Sequence, residues 1–275
     1  MDVRSLGYRT DLALLRLGGT LVEDRGDHLL IRSRHNPTYW WGNYLLLPSV
    51  PDDDDIDHWL ARFSAEHPDA QHVALGIDCT DGTTADLEGF ARRGLEVEAG
   101  TVMTASSVHR PRSENTEAIY RPLAGDDDWA QSVALGVRID DGNYEPEGHR
   151  RFVQAKMATY RRLVEAGHGQ WFGAFLDGRL VAQLGLFTAS AGLARFQSVE
   201  TDPDFRRRGL AGGLVHLAST YGLERGVQTL VMVADPGYVA IDLYRAVGFA
   251  DTESQLHVQR APAADRPFRD QSESR

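Results

Sequence analysis

The chain is poor in cysteine, in lysine and in long apolar runs, and each shortage excludes something. A single cysteine, Cys79, in 275 residues rules out an internal disulfide framework and a cysteine-rich metal centre, and it suits a buried thiol in a reducing compartment. No apolar stretch approaches the roughly 18 residues that a membrane span needs. The N-terminal run MDVRSLGYRTDLALL has neither a basic leader before an apolar core nor a small-residue cleavage site. The expectation is a cytoplasmic protein with no membrane partner. Of 29 basic residues only Lys156 is a lysine, and 40 acidic residues bring the net charge to -11. That balance is the reverse of the basic stripe needed for nucleic acid, and it suits a cationic or amine-bearing substrate.

What is present is ordinary globular composition, 42% hydrophobic and 25% charged, in a chain long enough for two domains with cores of their own. The expected class is α/β (α+β), a mixed sheet flanked by helices. The second half is the clearer. IYRPL reads as a short strand, then DDD opens a helix, and an acidic loop from Asp140 to Glu147 leads into a second helix. There Val153, Met157, Tyr160 and Val164 share one face. WFGAFLDGRLVAQLGLF is a hairpin turning at Asp177-Gly178, a pair that readily adopts positive φ. Leu193 to Val199 is a strand stopped at Pro203, and Leu210, Leu214, Leu217 and Tyr221 mark the helix after it. Thr229 to Val233 is a strand, Asp235 and Pro236 predict a helix start, and Ala240, Leu243, Tyr244 and Val247 line that helix. Ser254 to Gln259 is the last strand.

The first half follows a similar order. HVALGID stands where TLVMVAD stands later, and FARRGLE matches YRAVGFA with Gly94 over Gly248. The expected organisation is an internal duplication: one unit over 1–108, a polar linker over 109–117, a second unit over 118–260, and a tail over 261–275 too rich in Pro, Asp, Arg and Ser to order itself.

The segment VETDPDFRRRGLAGGLV sits between a strand and a helix. Arg206, Gly209 and Ala211 take positions 1, 4 and 6 of the turn. Bare backbone N–H groups at a helix start, with the positive end of the helix dipole and arginines alongside, suit a pyrophosphate. This run, followed at the right distances by a strand, a helix and LYRAVGF, resembles the GNAT superfamily of CoA-dependent N-acyltransferases.

The resemblance implies a tandem pair of GNAT-like units and acetyl-CoA as cofactor. Arg206, Arg207, Arg208, Gly209, Leu210, Ala211 and Gly212 would hold the pyrophosphate, while backbone at Val199, Glu200 and Thr201 would pair with the pantetheine arm. It makes Tyr244 the general acid, although periodicity alone reads that residue as packing. Gly237 replaces the asparagine that many members carry seven residues before the tyrosine, and Arg195 stands where some carry a glutamate base. Asp140, Glu145 and Glu147 are the candidate bases. In the first half PDDDDIDHW falls where the cradle would be, so Asp52 to Asp55 would repel a pyrophosphate, and Phe90 replaces the tyrosine. That half would wall the acceptor cleft, with Tyr39, Trp40 and Trp41 as candidate lining. The implied activity is acetyl transfer to a small-molecule amine. A different donor, an amino-sugar acceptor as in mycothiol synthase, or a non-catalytic CoA sensor are the alternatives.

Overall fold

The computed structural model describes residues 1–139, 145–238 and 240–262. Asp140 and the expected tail beyond residue 262 lie outside them. In the first half α1 (Leu6–Leu17) precedes β1 (Leu21–Asp24), β2 (Leu29–Arg32) and β3 (Asn43–Leu47). Then follow α2 (Ile56–Glu66), β4 (Val73–Ile77), α3 (Glu88–Arg92) and β5 (Glu96–Ala105). The second half contains β6 (Ile119–Pro122), α4 (Gly125–Arg138), α5 (Pro146–Glu165), β7 (Gly169–Leu176), β8 (Arg179–Ser190) and β9 (Leu193–Thr201). It ends with α6 (Leu210–Glu224), β10 (Thr229–Ala234), α7 (Ala240–Val247) and β11 (Ala250–Arg260). Among the described residues no helix is long and apolar enough to cross a membrane.

All eleven strands join one mixed sheet in the order β1-β2-β3-β4-β11-β5-β10-β9-β8-β7-β6. The order is nearly palindromic about β11 and β5. β3 and β4 run parallel, as do β9 and β10, so α2 and α3 take in the first half the places that α6 and α7 take in the second. Each half gives its last strand to the other: β5 pairs with β10, and β11 pairs with both β4 and β5. The halves therefore share one hydrogen-bonded sheet.

Local chemistry explains most elements. Asp177 and Gly178 both take positive φ, 50° and 79°, closing the β7–β8 hairpin as a tight turn of the kind the Asp-Gly pair favours. Side chains alternate across the second-half sheet. Trp171, Phe175 and Phe187 face Trp129, Val153 and Met157 of α4 and α5, while Phe172, Leu184 and Leu186 face Leu210, Leu214 and Ala218 of α6. The α1 helix, which the sequence reading passed over, packs across β8, β9, β10 and β11, and its Leu14 joins the α4–α5 cluster. A first-half helix thus covers second-half strands.

One boundary departs from expectation. Asp235 does not cap α7: its Oδ1 accepts from the N–H of Gly237 at 2.7 Å, a local turn that competes with helix formation, and α7 begins at Ala240.

Candidate active site

The cleft between β9 and β10 follows from where their pairing stops. The two strands are bonded only from Leu193–Thr229 to Arg195–Val231. Beyond that point β9 stays with β8, reaching Ala182 at Thr201, while β10 stays with β5, reaching Thr101 at Ala234. Ser198 has φ 52° and the β8–β9 register slips opposite it, so a bulge accompanies the parting. The gap opens into a cleft of about 270 Å³ lined by Phe196, Ser198, Val199, Met232, Tyr238 and Tyr244, among others.

Tyr244 sits on α7 at the wall of this cleft with 7% of its surface exposed. Burial, and then the nearby Tyr238, pushes its hydroxyl up to about 12. It is a protonated donor across the physiological range. Its counterpart in the first half, Phe90, is fully buried in the apolar core.

The segment before α6 turns on left-handed backbone. Arg207 and Gly209 take positive φ, 59° and 77°, and Gly209 is the helix N-cap with no side chain capping the first turn. Arg206, Arg207 and Arg208 are exposed; Arg206 Nε approaches the Thr201 carbonyl at 3.4 Å and Arg208 stacks over Phe205 at 5.0 Å. Uncapped N–H groups at a helix start with mobile cations beside them fit a pyrophosphate. A Cβ on Gly209, however, would strike the Ser113 carbonyl and the Asn115 N–H of the linker, and one on Gly212 would press on Pro111. Glycine is needed there because the linker backbone lies against the helix start. Leu210 and Gly212 are buried in that turn and Ala211 is half-buried.

Val199 lines the cleft. Glu200 turns the other way: its Oε2 accepts from Gln183 Nε2 at 2.6 Å and its Oε1 lies 3.7 Å from Lys156 Nζ, so its carboxylate is kept from the cleft. Asp202, just after β9, is buried and caps the next turn. Burial would raise its pKa, but the Asp204 N–H and the guanidinium groups of Arg138 and Arg179 hold it below the usual range.

A second cavity, of about 280 Å³, opens on the other side of β9. Arg195 and Gln197 face it, whereas Phe196 and Ser198 face the cleft, so neighbouring residues of one strand line both. Its walls come from both halves: Asp11 of α1, Tyr39, Trp41 and Tyr44 of the first, Lys156 and Tyr160 of α5 and Arg195 of β9. Tyr39 and Trp41 are therefore lining residues. Trp40 is outside the lining and stacks on His72 at 5.6 Å. Asp11 was absent from the sequence reading. The signal for it was Ser5 before Tyr8, Leu12 and Leu15, an N-cap followed by a helical stripe.

Of the candidate bases, Glu145 is the N-cap of α5, accepting from the N–H groups of Glu147 at 2.9 Å and Gly148 at 2.6 Å. Those bonds hold its carboxyl below the usual range, which makes it a cap and a poor base. Glu147 is exposed in the first turn.

In the first half the strands that correspond to β9 and β10 do not part. β3 and β4 stay paired to their last residues, Leu47 and Ile77, and the Asp78 N–H continues the ladder to the Leu47 carbonyl at 2.9 Å. Asp53, in the acidic run, is bound by Arg92 at 2.7 Å and Arg93 at 3.1 Å.

No curated protein matches the chain. Among solved structures, a GCN5-related N-acetyltransferase from Kribbella flavida is similar at 14% identity and a TM-score of 0.62, over 95% of this chain and 99% of that one. A conserved protein of unknown function from Staphylococcus epidermidis superposes with a TM-score of 0.65 at 11% identity, over 88% and 94%. A tandem GNAT protein from the clavulanic acid biosynthesis pathway does so at 0.52 and 14%, over 78% and 73%. The family model described as Acetyltransferase (GNAT) family matches residues 138–249, the stretch that holds the cleft, the uncapped start of α6 and Tyr244, and the chain thus carries a GNAT-family domain.

Proposed function

We propose that the chain transfers an acetyl group from acetyl-CoA to an amine on a small molecule, within one working site in its second half. The observation that carries this reading is the parting of β9 from β10 beside an uncapped helix start, with a protonated tyrosine at the wall of the gap. The family match over 138–249 and the likeness to an N-acetyltransferase fold support it.

Acetyl-CoA would supply an activated thioester. The N–H groups of residues 207 to 212 and the three arginines would hold its phosphates, and the unpaired edge of β9 at Val199 and Thr201 would take its amide arm as a strand is taken. As the amine nitrogen bonds to the acyl carbon, the carbon–sulfur bond breaks and the sulfur gains charge. Tyr244 Oη would donate to that sulfur. A phenol near 12 facing a thiol of about 8.5 stabilises the charge mainly by hydrogen bonding, with full proton transfer to follow from solvent. Asp11, the carboxylate in the lining of the second cavity, faces Arg195, so in this reading the amine arrives deprotonated.

The first half, in this reading, is a degenerate copy whose role is to cover the sheet and complete the acceptor cavity. The test is release of free CoA thiol from acetyl-CoA across a panel of amines, with the acetylated product identified by mass. Stabilisation by acetyl-CoA with no thiol released from any amine would turn the reading toward a binding module.

A further inference from the structure

The second cavity contains a cation that the protein does not fully satisfy. Arg195 lines it with a side chain more than nine-tenths buried, and its Nη2 stands 2.9 Å from Asp11 Oδ1. Its Nε and Nη1 are buried without a hydrogen-bond partner among the described residues. Asp11 is itself shared, since its Oδ2 accepts from Gln255 Nε2 at 3.1 Å. Buried guanidinium donors are ordinarily paired, because leaving them unpaired forfeits their hydration with nothing in return.

Lys156, the sole lysine of the sequence, lines the same cavity. The carboxylate facing it, Glu200, stands at 3.7 Å, beyond hydrogen-bond distance, and Glu200 is already held by Gln183. Among the other polar groups of the lining, Gln255 Oε1 is a buried acceptor without a partner among the described residues. Tyr39 and Tyr160 are kept protonated by burial and then by the charges around them, and Tyr160 already donates to Gln197 Oε1 at 2.9 Å. Two of the cavity's groups, Arg195 and Lys156, are cations with donor capacity left over.

We propose that the acceptor is a small amine that also carries a carboxylate, an amino acid in chemical class, and that Arg195 and Lys156 receive that carboxylate. The inference rests on the acetyl-transfer reading for the amine's fate. A planar carboxylate is the natural partner of a guanidinium. A volume of about 280 Å³ lies just below the usual range of ligand pockets, about 300–1,000 Å³, which suits a molecule the size of a single amino acid. Tyr39, Trp41 and Tyr44 offer apolar faces to a side chain. Arg195 and Gln197 lie on the face of β9 turned away from Phe196 and Ser198, so an amine whose carboxylate is held at Arg195 would meet the acyl carbon through the gap where β9 and β10 part.

The experiment compares phenylalanine with phenethylamine, which lacks only the carboxylate, by thiol release from acetyl-CoA and by calorimetry in the presence of CoA. Phenylalanine should be favoured in kcat/KM by about tenfold or more, the effect of one charge-assisted hydrogen bond, with most of the difference in KM. The pair Asp11→Asn with Arg195→Gln removes the guanidinium without stranding its partner and should abolish the preference, whereas Arg195→Lys should retain part of it. CoA affinity equal to the parent's shows that each variant is folded. Equal or faster turnover of phenethylamine overturns the inference and leaves acetyl transfer standing. Should no amine release thiol, the transfer reading fails and calorimetry decides: phenylalanine binding lost in the double variant supports the carboxylate site, and no heat with phenylalanine overturns it.

Discussion

Arg195 Nη2 lies 2.9 Å from Asp11 Oδ1, an ion pair that ties the first helix of the chain to the strand at the centre of the second half. Each group is a charge the other must neutralise. Asp11→Ala would leave the Arg195 guanidinium buried alone, and should lower unfolding free energy by about 3 kcal/mol, the low end for a broken buried pair because Asp11 is partly exposed. Replacing both residues, as Asp11→Leu with Arg195→Met, should cost much less than the sum of the single changes. Urea unfolding of the parent, Asp11→Ala, the single variants Asp11→Leu and Arg195→Met, and their double variant checks this.

Tyr244→Phe removes one hydroxyl from a packed ring, so acetyl-CoA affinity and melting temperature should change little. Turnover should fall about 10²-fold, the lower end for an acid–base group, provided chemistry limits the rate. With the Tyr244 hydroxyl near 12, the rate should rise with pH as the amine loses its proton and show no falling limb from this tyrosine below about pH 11. A tyrosine-dependent decline between pH 8 and 10 would contradict this.

The exposed arginines and the hidden glycine should separate binding from folding. Replacing Arg206, Arg207 and Arg208 by alanine should weaken CoA about tenfold or more and flatten the salt dependence of binding, with stability unchanged. Gly209→Ala should instead lower stability by about 1 kcal/mol or more, because the residue has positive φ and its new Cβ meets the linker backbone. Thermal melting beside calorimetry distinguishes the two.

Calorimetry should count one CoA site per chain. The first-half pair β3–β4 stays closed to its ends, and Asp53 is bound to Arg92 and Arg93 where a cradle would fall. Saturation at two equivalents would contradict the assignment.

Stability should fall on acidification below neutrality. His67 is pushed down to about 4, first by burial and then by Arg32, and burial also lowers His72, whose Nε2–H donates to the Asn43 carbonyl at 2.9 Å. Between about pH 4 and 6.5 the unfolded chain binds protons that the folded chain refuses, so unfolding free energy rises with pH across that window. His67 alone accounts for up to about 3 kcal/mol. The slope, read from urea unfolding between pH 4.5 and 7, should be shallower in His67→Gln.

The sequence by itself determined what depends on neighbours along the chain. The Asp177-Gly178 turn, the arginine-glycine run before α6 and the helical stripe through Tyr244 were all legible, because backbone preference and side-chain period act over a few residues. Contacts between distant segments were not. That β5 and β11 cross into opposite halves, that Gly209 yields to the linker, and that Asp235 turns back on Gly237 were decided by strand pairing and close approach in three dimensions. The sequence marked Arg195 only as a departure from a glutamate. Asp11, 184 positions earlier, became its partner because α1 packs over β9 and the fold buries the two charges together.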